Sequence, residues 1–246
     1  MKHKMNILKI ALLAGIAAGL TFGASSCHKD SSTTPSTTTT VTEADAAELT
    51  TDAVAPSSGG MVAQLNTSVS INTSVPLSCG VAKDSTIAKS SATGATPTYS
   101  YNLSWNYLLN CNGIIPSTLT FNFTGNASYD GLSMSSNDKS TGQFILSGLQ
   151  PASSQYVFNT TYNRAGNTAS KIARQYTFTS NLTIKSTNIA VDKSSLQILS
   201  GSATVSITAT SSSGKTFTFN GTITFLGGKK ATLVLNSGVS YPISWS

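Results

Sequence analysis

Histidine is nearly missing from this sequence. Of 246 residues only His3 and His28 are histidine. A Ser-His-Asp or Cys-His nucleophilic mechanism therefore has no base anywhere beyond residue 28. Glutamate is as scarce, with Glu43 and Glu48 alone. Past residue 60, a two-carboxylate glycosidase would have to draw on Asp84, Asp130, Asp138 and Asp192. Asp130 and Asp138 flank a turn signal and are the pair that could approach each other. Turns select Asp for local hydrogen bonding, so solvated turn aspartates are the commoner meaning of such a pair. No P-loop and no GxGxxG occurs. Cys79 and Cys111 have no further Cys or His near them, and so make no zinc signature. No stretch past residue 60 shows a 3.6-residue period long enough for a crossover helix, which excludes a parallel sheet. These absences point away from an enzyme and from any cofactor or metal.

What is present begins at the N-terminus. Lys2, Lys4 and Lys9 precede an apolar run from Ile10 to Leu20, and Gly23-Ala24-Ser25-Ser26 follows. A basic start, a short apolar run and small residues form an export signal. Crossing a bilayer takes roughly 20 apolar residues, more than the stretch from Ile10 to Ala24 provides. The residues Ala24-Ser25-Ser26-Cys27 resemble a bacterial lipobox, with Ala24 where the commonest form has Leu. The resemblance implies cleavage before Cys27, acylation of that cysteine and anchoring in a membrane. His28-Lys29-Asp30 partly resembles the short signal of surface lipoproteins of the Bacteroidota type, which implies the outer membrane, facing the cell surface or the periplasm. The expected organisation is a signal over 1–26, a Ser/Thr-rich flexible tether over 27–41, a short helix and Gly-rich linker over 42–60, and a β domain over 61–246. The tether has too little apolar area to offset the entropy of ordering it.

Acylation of Cys27 leaves Cys79 and Cys111 as a pair, and in an oxidising compartment a disulfide is the default. Charge is uneven. Residues 28–60 carry one Lys against five acids, whereas 61–246 carry eleven bases against four aspartates. Nucleic-acid binders need a dense basic stripe. Here the bases are scattered and only Lys229-Lys230 are adjacent, so no nucleic-acid partner is expected.

Residues 42–55, TEADAAELTTDAVA, read as the only helix, with Thr42 as cap and Asp45 in a capping-box position. Ala46, Leu49 and Ala53 give its apolar stripe, and Pro56 with Gly59-Gly60 ends it. From Met61 onward the expected period is two. Tyr99, Tyr101, Leu103, Trp105, Tyr107 and Leu109 alternate with Ser and Asn, giving one apolar and one polar face. The same alternation recurs around Phe121, Phe158, Phe178, Val205, Phe219, Leu233 and Ile243. Turn signals separate the runs: Asn112-Gly113, Asp130-Gly131, Ala165-Gly166-Asn167, Ser213-Gly214, Gly227-Gly228 and Ser237-Gly238. The fold class is all-β: an antiparallel meander of about nine or ten strands, as a sandwich or a barrel-like sheet. A lone flat sheet would expose its apolar face, so it must stack, close or wrap the helix. A transmembrane barrel shares the alternation, but a tether and lipid anchor would then be redundant.

Tyr99, Tyr101, Trp105 and Tyr107 are candidates for stacking on a sugar, although alternating aromatics on one face are more often core. Asp84-Ser85-Thr86 resembles a short O-glycosylation motif of exported Bacteroidota proteins. The expected role is non-catalytic: binding or surface structure on a lipid-anchored domain. A carrier of a lipid or other hydrophobic ligand is the alternative, and a glycan-binding module the next.

Overall fold

The computed structural model describes residues 40–171 and 176–245. The export signal, Cys27 and nearly all of the tether lie outside the described residues. Among the described residues no helix is long and apolar enough to cross a membrane.

The first helix forms where its caps are. In α1 (Glu43–Val54) the Asp45 N–H donates to Thr42 Oγ1 at 3.2 Å, and the Thr42 N–H donates to Asp45 Oδ2 at 2.9 Å. This reciprocal box satisfies two donors that a helix N-terminus otherwise leaves open. Ala46, Leu49 and Ala53 are buried, as their spacing predicts. A 3₁₀ turn over Pro56–Ser58 ends the helix. Gly60 then lets the chain double back. A Cβ there would lie 2.5 Å from the Ala53 carbonyl oxygen and 2.6 Å from that of Ala55.

The next segment differs from the strand expected from Met61 onward. Residues Met61–Ser74 form a second helix, α2. Met61, Val62, Leu65 and Val69 lie on one helical face and are all buried. Ser, Thr and Asn in this stretch lower helix propensity. Packing of the apolar face supplies the stability instead, and Ser68 and Thr73 donate back to the carbonyls of Gln64 and Val69.

The remainder is a single antiparallel sheet of ten strands: β1 (Ala82–Ser90), β2 (Thr98–Asn112), β3 (Ile115–Asp130), β4 (Met134–Ser147), β5 (Gln155–Ser170), β6 (Thr177–Asp192), β7 (Ile198–Ser211), β8 (Thr216–Gly227), β9 (Lys230–Leu235) and β10 (Ser240–Ser244). Strand order follows chain order throughout, a pure meander. The sheet does not close into a barrel and has no second sheet stacked on it. The 3₁₀ turn lies against β2 and β3, α2 against β4, and α1 against β6 and β10. In a flat sheet with strands about 4.8 Å apart, β2 and β10 would be about 38 Å from each other. A helix is only about 10 Å across. The sheet must therefore curl around the helical segment, and that segment hides its apolar face. Open edges at β1 and β10 carry unpaired backbone groups, which a bilayer interior does not tolerate.

One turn signal misleads. Ala165-Gly166-Asn167 is not a turn but the interior of β5. The other five signals sit at strand junctions.

The core is aromatic. Trp105 meets Phe121 edge-on at 5.8 Å and lies 5.1 Å from Phe123, which stacks on Tyr162 at 5.9 Å. The Cys79–Cys111 disulfide, with Cα atoms 5.6 Å apart, ties the segment leaving α2 to the far end of β2. Closing a loop across 32 positions stabilises by about 3–4 kcal/mol in the chain-entropy model. The double variant Cys79→Ser/Cys111→Ser is expected to lose about that much in denaturant unfolding. A loss below about 1 kcal/mol would show that the reduced chain already holds this loop closed.

Candidate functional site: a buried Arg–Asp cluster under an open polar face

The inner wall of the sheet is not apolar throughout. On β4 the inward face runs Met134, Ser136, Asp138, Ser140, Gly142, Phe144 and Leu146, so one aspartate and two serines point at the helices. On β5 the inward face brings Tyr162, Arg164, Thr168 and Ser170. Register places Asp138 opposite Gly166 and Ser140 opposite Arg164, so Asp138 and Arg164 are diagonal neighbours, within reach of a long side chain. Arg164 Nε donates to Asp138 Oδ2 at 2.8 Å, and Nη2 lies 2.6 Å from the same oxygen. Nη2 also donates to Ser136 Oγ at 3.0 Å. From the helical side comes Asp52 of α1, buried as well.

Gly166 explains itself here. A Cβ at that position would fall 2.1 Å from the Asn137 carbonyl oxygen and 2.4 Å from Asp138 Oδ1. The glycine leaves room for the Asp138 carboxylate to meet Arg164. Gly166→Ala is expected to cost about 1–3 kcal/mol through this overlap, read as a lower thermal midpoint. An unchanged midpoint would mean that Asp138 is free to move aside.

Burial decides the state of Asp52. Burial pushes the Asp52 carboxyl up to about 7, with Arg164 pulling the other way and Glu48 and Asp138 adding to the rise. Burial opposes the Arg164 charge, but Tyr162, Asp138 and Asp52 outweigh it and keep the guanidinium above its ordinary range. Burial and the Asp52 charge raise Tyr129 to about 12. Below pH 7 the cluster is thus one Arg–Asp pair beside a neutral acid. Within the cluster two buried atoms have no hydrogen-bond partner among the described residues: Asp52 Oδ2 and Arg164 Nη1. Asp138 and Arg164 are each only 5% exposed, so the pair joins β4 to β5 from inside the fold, with the Asp52 carboxyl of α1 within reach of its charges. A second polar contact holds the start of α1. Tyr176 donates its hydroxyl to Asp45, and hydrogen bonds from Thr42, Tyr176 and Ser170 outweigh burial and lower the Asp45 pKa.

The four stacking candidates do not form an open row. Trp105 and Tyr107 are core residues, 2% and 3% exposed. Tyr99 and Tyr101 are half-buried and stack on each other at 6.1 Å. Asp130 and Asp138 do not come together. Asp130 faces Ser135 and Asp138 faces Ala127, about 10 Å apart along the strands and on opposite faces. Asp130 pairs instead with Lys171. Asp192 accepts from Ser194 and Ser195 in its turn, which holds it down at about 2. Asp84 accepts from Asn106 at 2.9 Å. Of the neighbouring hydroxyls, that of Ser85 is buried without a partner, whereas Thr86 is exposed.

The space beneath the strands, where a carrier would hold its ligand, is occupied by α1, α2 and the aromatic core. The outer face is the open one. Among the described residues it carries shallow grooves of 390 to 560 Å³ between strands, lined mostly by Ser, Thr and Asn, with Lys139 or Lys185 at several of them. Asn102, Asn126 and Lys139 line two neighbouring grooves at once. Among the described residues no three His, Cys, Asp or Glu are placed to hold a metal.

Sequence reasoning did not single out Asp52, Arg164, Tyr162 and Ser136 as one group. The signal was available in part: Arg164 stands two residues from Tyr162, on the same face as Phe158. Compared with known proteins, the chain matches no family model, no curated protein and no solved structure.

Proposed function

We propose that this chain is a lipid-anchored protein of the outer membrane whose β domain is non-catalytic and binds through its outer face. The observation that carries the binding role is the division of the sheet. Its inner side is filled by the protein's own helices, and its outer side is a broad hydroxyl- and amide-bearing surface with open grooves. Such a lining suits a neutral, hydroxyl-rich ligand, that is, a glycan. Uncharged donors and acceptors at strand spacing can replace the water around sugar hydroxyls. The lipobox-like Ala24-Ser25-Ser26-Cys27 supports the anchor. Acyl chains contribute about 0.8 kcal/mol per buried CH₂, so more than one chain is needed for stable attachment.

Two experiments test the two halves. Mass spectrometry of the mature protein is expected to find Cys27 acylated at the N-terminus, and Cys27→Ser is expected to release the protein from membranes after a high-salt wash. For the outer face, purified protein is titrated with neutral envelope polysaccharides. The variant Asn102→Ala/Asn126→Ala/Lys139→Ala is expected to lose binding at least about tenfold with its thermal midpoint unchanged, because all three side chains are exposed. Equal binding by that variant, or none by the wild type, would overturn the outer-face reading.

A further inference from the structure

In a meander, alternate turns share an end. The connections β2–β3, β4–β5, β6–β7 and β8–β9 all emerge at one end of the sheet. This end carries most of the large exposed apolar side chains among the described residues. Among the described residues nine large apolar side chains are exposed, and six of them are here: Val81, Ile114, Ile115, Leu196, Leu199 and Leu226. The opposite end has Leu132 and Val239. Ile114 is 92% exposed, at the tip of a hairpin stapled by the Cys79–Cys111 disulfide. Scattered single apolar residues need no explanation, but a contiguous group does.

The turns at this end are joined to one another. Gln150 Nε2 donates to the Pro116 carbonyl at 3.0 Å, and Lys193 Nζ donates to the Gln150 carbonyl at 2.7 Å. Gly227 lies against the Leu199 carbonyl. Hydrogen bonds and contact thus link all four turns into one rim. Two of its residues adopt a left-handed backbone without being glycine: Leu196 at φ 57° and Lys229 at φ 60°. Glycine or asparagine would take that conformation with less strain. A leucine and a lysine are held there regardless, with the leucine side chain half in solvent and the lysine exposed. Trp245 is half-buried beside them, its N–H donating to the Lys229 carbonyl and its ring edge-on to Phe225.

Charge at the rim favours an anionic surface. Lys193, Lys229 and Lys230 stand on these turns against Asp192 alone, whose Oδ1 already accepts from Ser194 and Ser195. Neither Lys229 nor Lys230 forms an ion pair among the described residues. Exposed aliphatic tips, flanking lysines and a tryptophan at the margin are what the boundary of a bilayer selects. We infer that this end of the sheet is a docking surface for an anionic lipid bilayer, with Ile114, Ile115, Leu196 and Leu226 entering the headgroup layer and Lys229 and Lys230 facing lipid phosphates. The contact is separate from acylation of Cys27. The chain enters the domain at the opposite end, where Asp45 meets Tyr176.

Tryptophan fluorescence reads this contact directly, because the chain has two tryptophans and Trp105 is buried in the core. Full-length protein is mixed with vesicles of brominated phosphatidylglycerol and phosphatidylcholine. Emission from Trp245 is expected to be quenched, and Trp245→Phe to abolish the quenching. Ile114→Ser/Leu226→Ser and Lys229→Glu/Lys230→Glu are each expected to weaken vesicle affinity about tenfold or more with an unchanged thermal midpoint. No quenching in the wild type, or quenching that both surface variants leave untouched, overturns the proposal. A failed anchor at Cys27 would show in mass spectrometry instead and leaves this readout intact.

Discussion

Arg164→Met is expected to destabilise the domain by about 3–5 kcal/mol at pH 7, a cost known for removing one partner of a buried ion pair. Among the described residues the guanidinium is the only cation paired with Asp138, with Nε at 2.8 Å and Nη2 at 2.6 Å from one carboxylate oxygen. Without it Asp138 must either stay charged in a site that excludes water or take up a proton, and both oppose folding. The loss should fall mainly on the docking of α1, because Asp52 of that helix also faces the guanidinium. Chemical denaturation measures the size of the effect, and hydrogen exchange shows where it acts. The double variant Arg164→Met/Asp138→Leu is expected to regain most of the loss, since an apolar pair of similar volume can replace a buried ion pair. A single variant within about 1 kcal/mol of wild type would mean that water already reaches the pair and screens it.

Asp52→Asn is expected to change how stability depends on pH. The Asp52 carboxyl is raised from its ordinary 3.8 to about 7 in the folded protein. The folded state therefore keeps a proton that the unfolded chain releases near pH 4. This contribution is fully present below about pH 4 and fades as pH rises toward 7, by on the order of 4 kcal/mol across that window. Asparagine has no proton to lose. The variant should match wild type at pH 4 and be the more stable of the two at pH 8. The groups that set the size of the effect face Asp52 from four elements: Arg164 and Asp138 from β5 and β4, Tyr129 from β3, and Glu48 from its own helix. Unfolding free energies measured from pH 4 to 8 decide the matter. A difference between the two proteins that does not vary with pH would show that Asp52 is ionised throughout.

These two effects arise where the sequence was hardest to read. Period-two alternation made the β-strands legible, and Thr42 with Asp45 marked the start of α1 to the residue. The same alternation misled at Met61, because the Ser, Thr and Asn of that stretch also suit a strand, and the stripe Met61, Val62, Leu65, Val69 carries a helical signal in few residues. Gly166 looked like a turn because a glycine between polar residues usually is one. In β5 it serves a close approach that exists only once β4 lies beside it. Asp138 looked like a turn aspartate for a similar reason. Asp138 lies four residues past Met134, where β4 begins, and its inward direction depends on that starting point.

By itself the sequence determined the antiparallel pairing and the Cys79–Cys111 partnership. Each of these rests on residue inventory or on local periodicity, which neighbours in the chain settle among themselves. Tertiary structure alone decided that the sheet stays open and curls around two helices, that Trp105 and Tyr107 are core, and that Asp52, Asp138 and Arg164 share one buried site. Those outcomes depend on which faces meet across β3, β4, β5 and α1, and residues 52, 138 and 164 become neighbours only when apolar burial has drawn the helices into the curve.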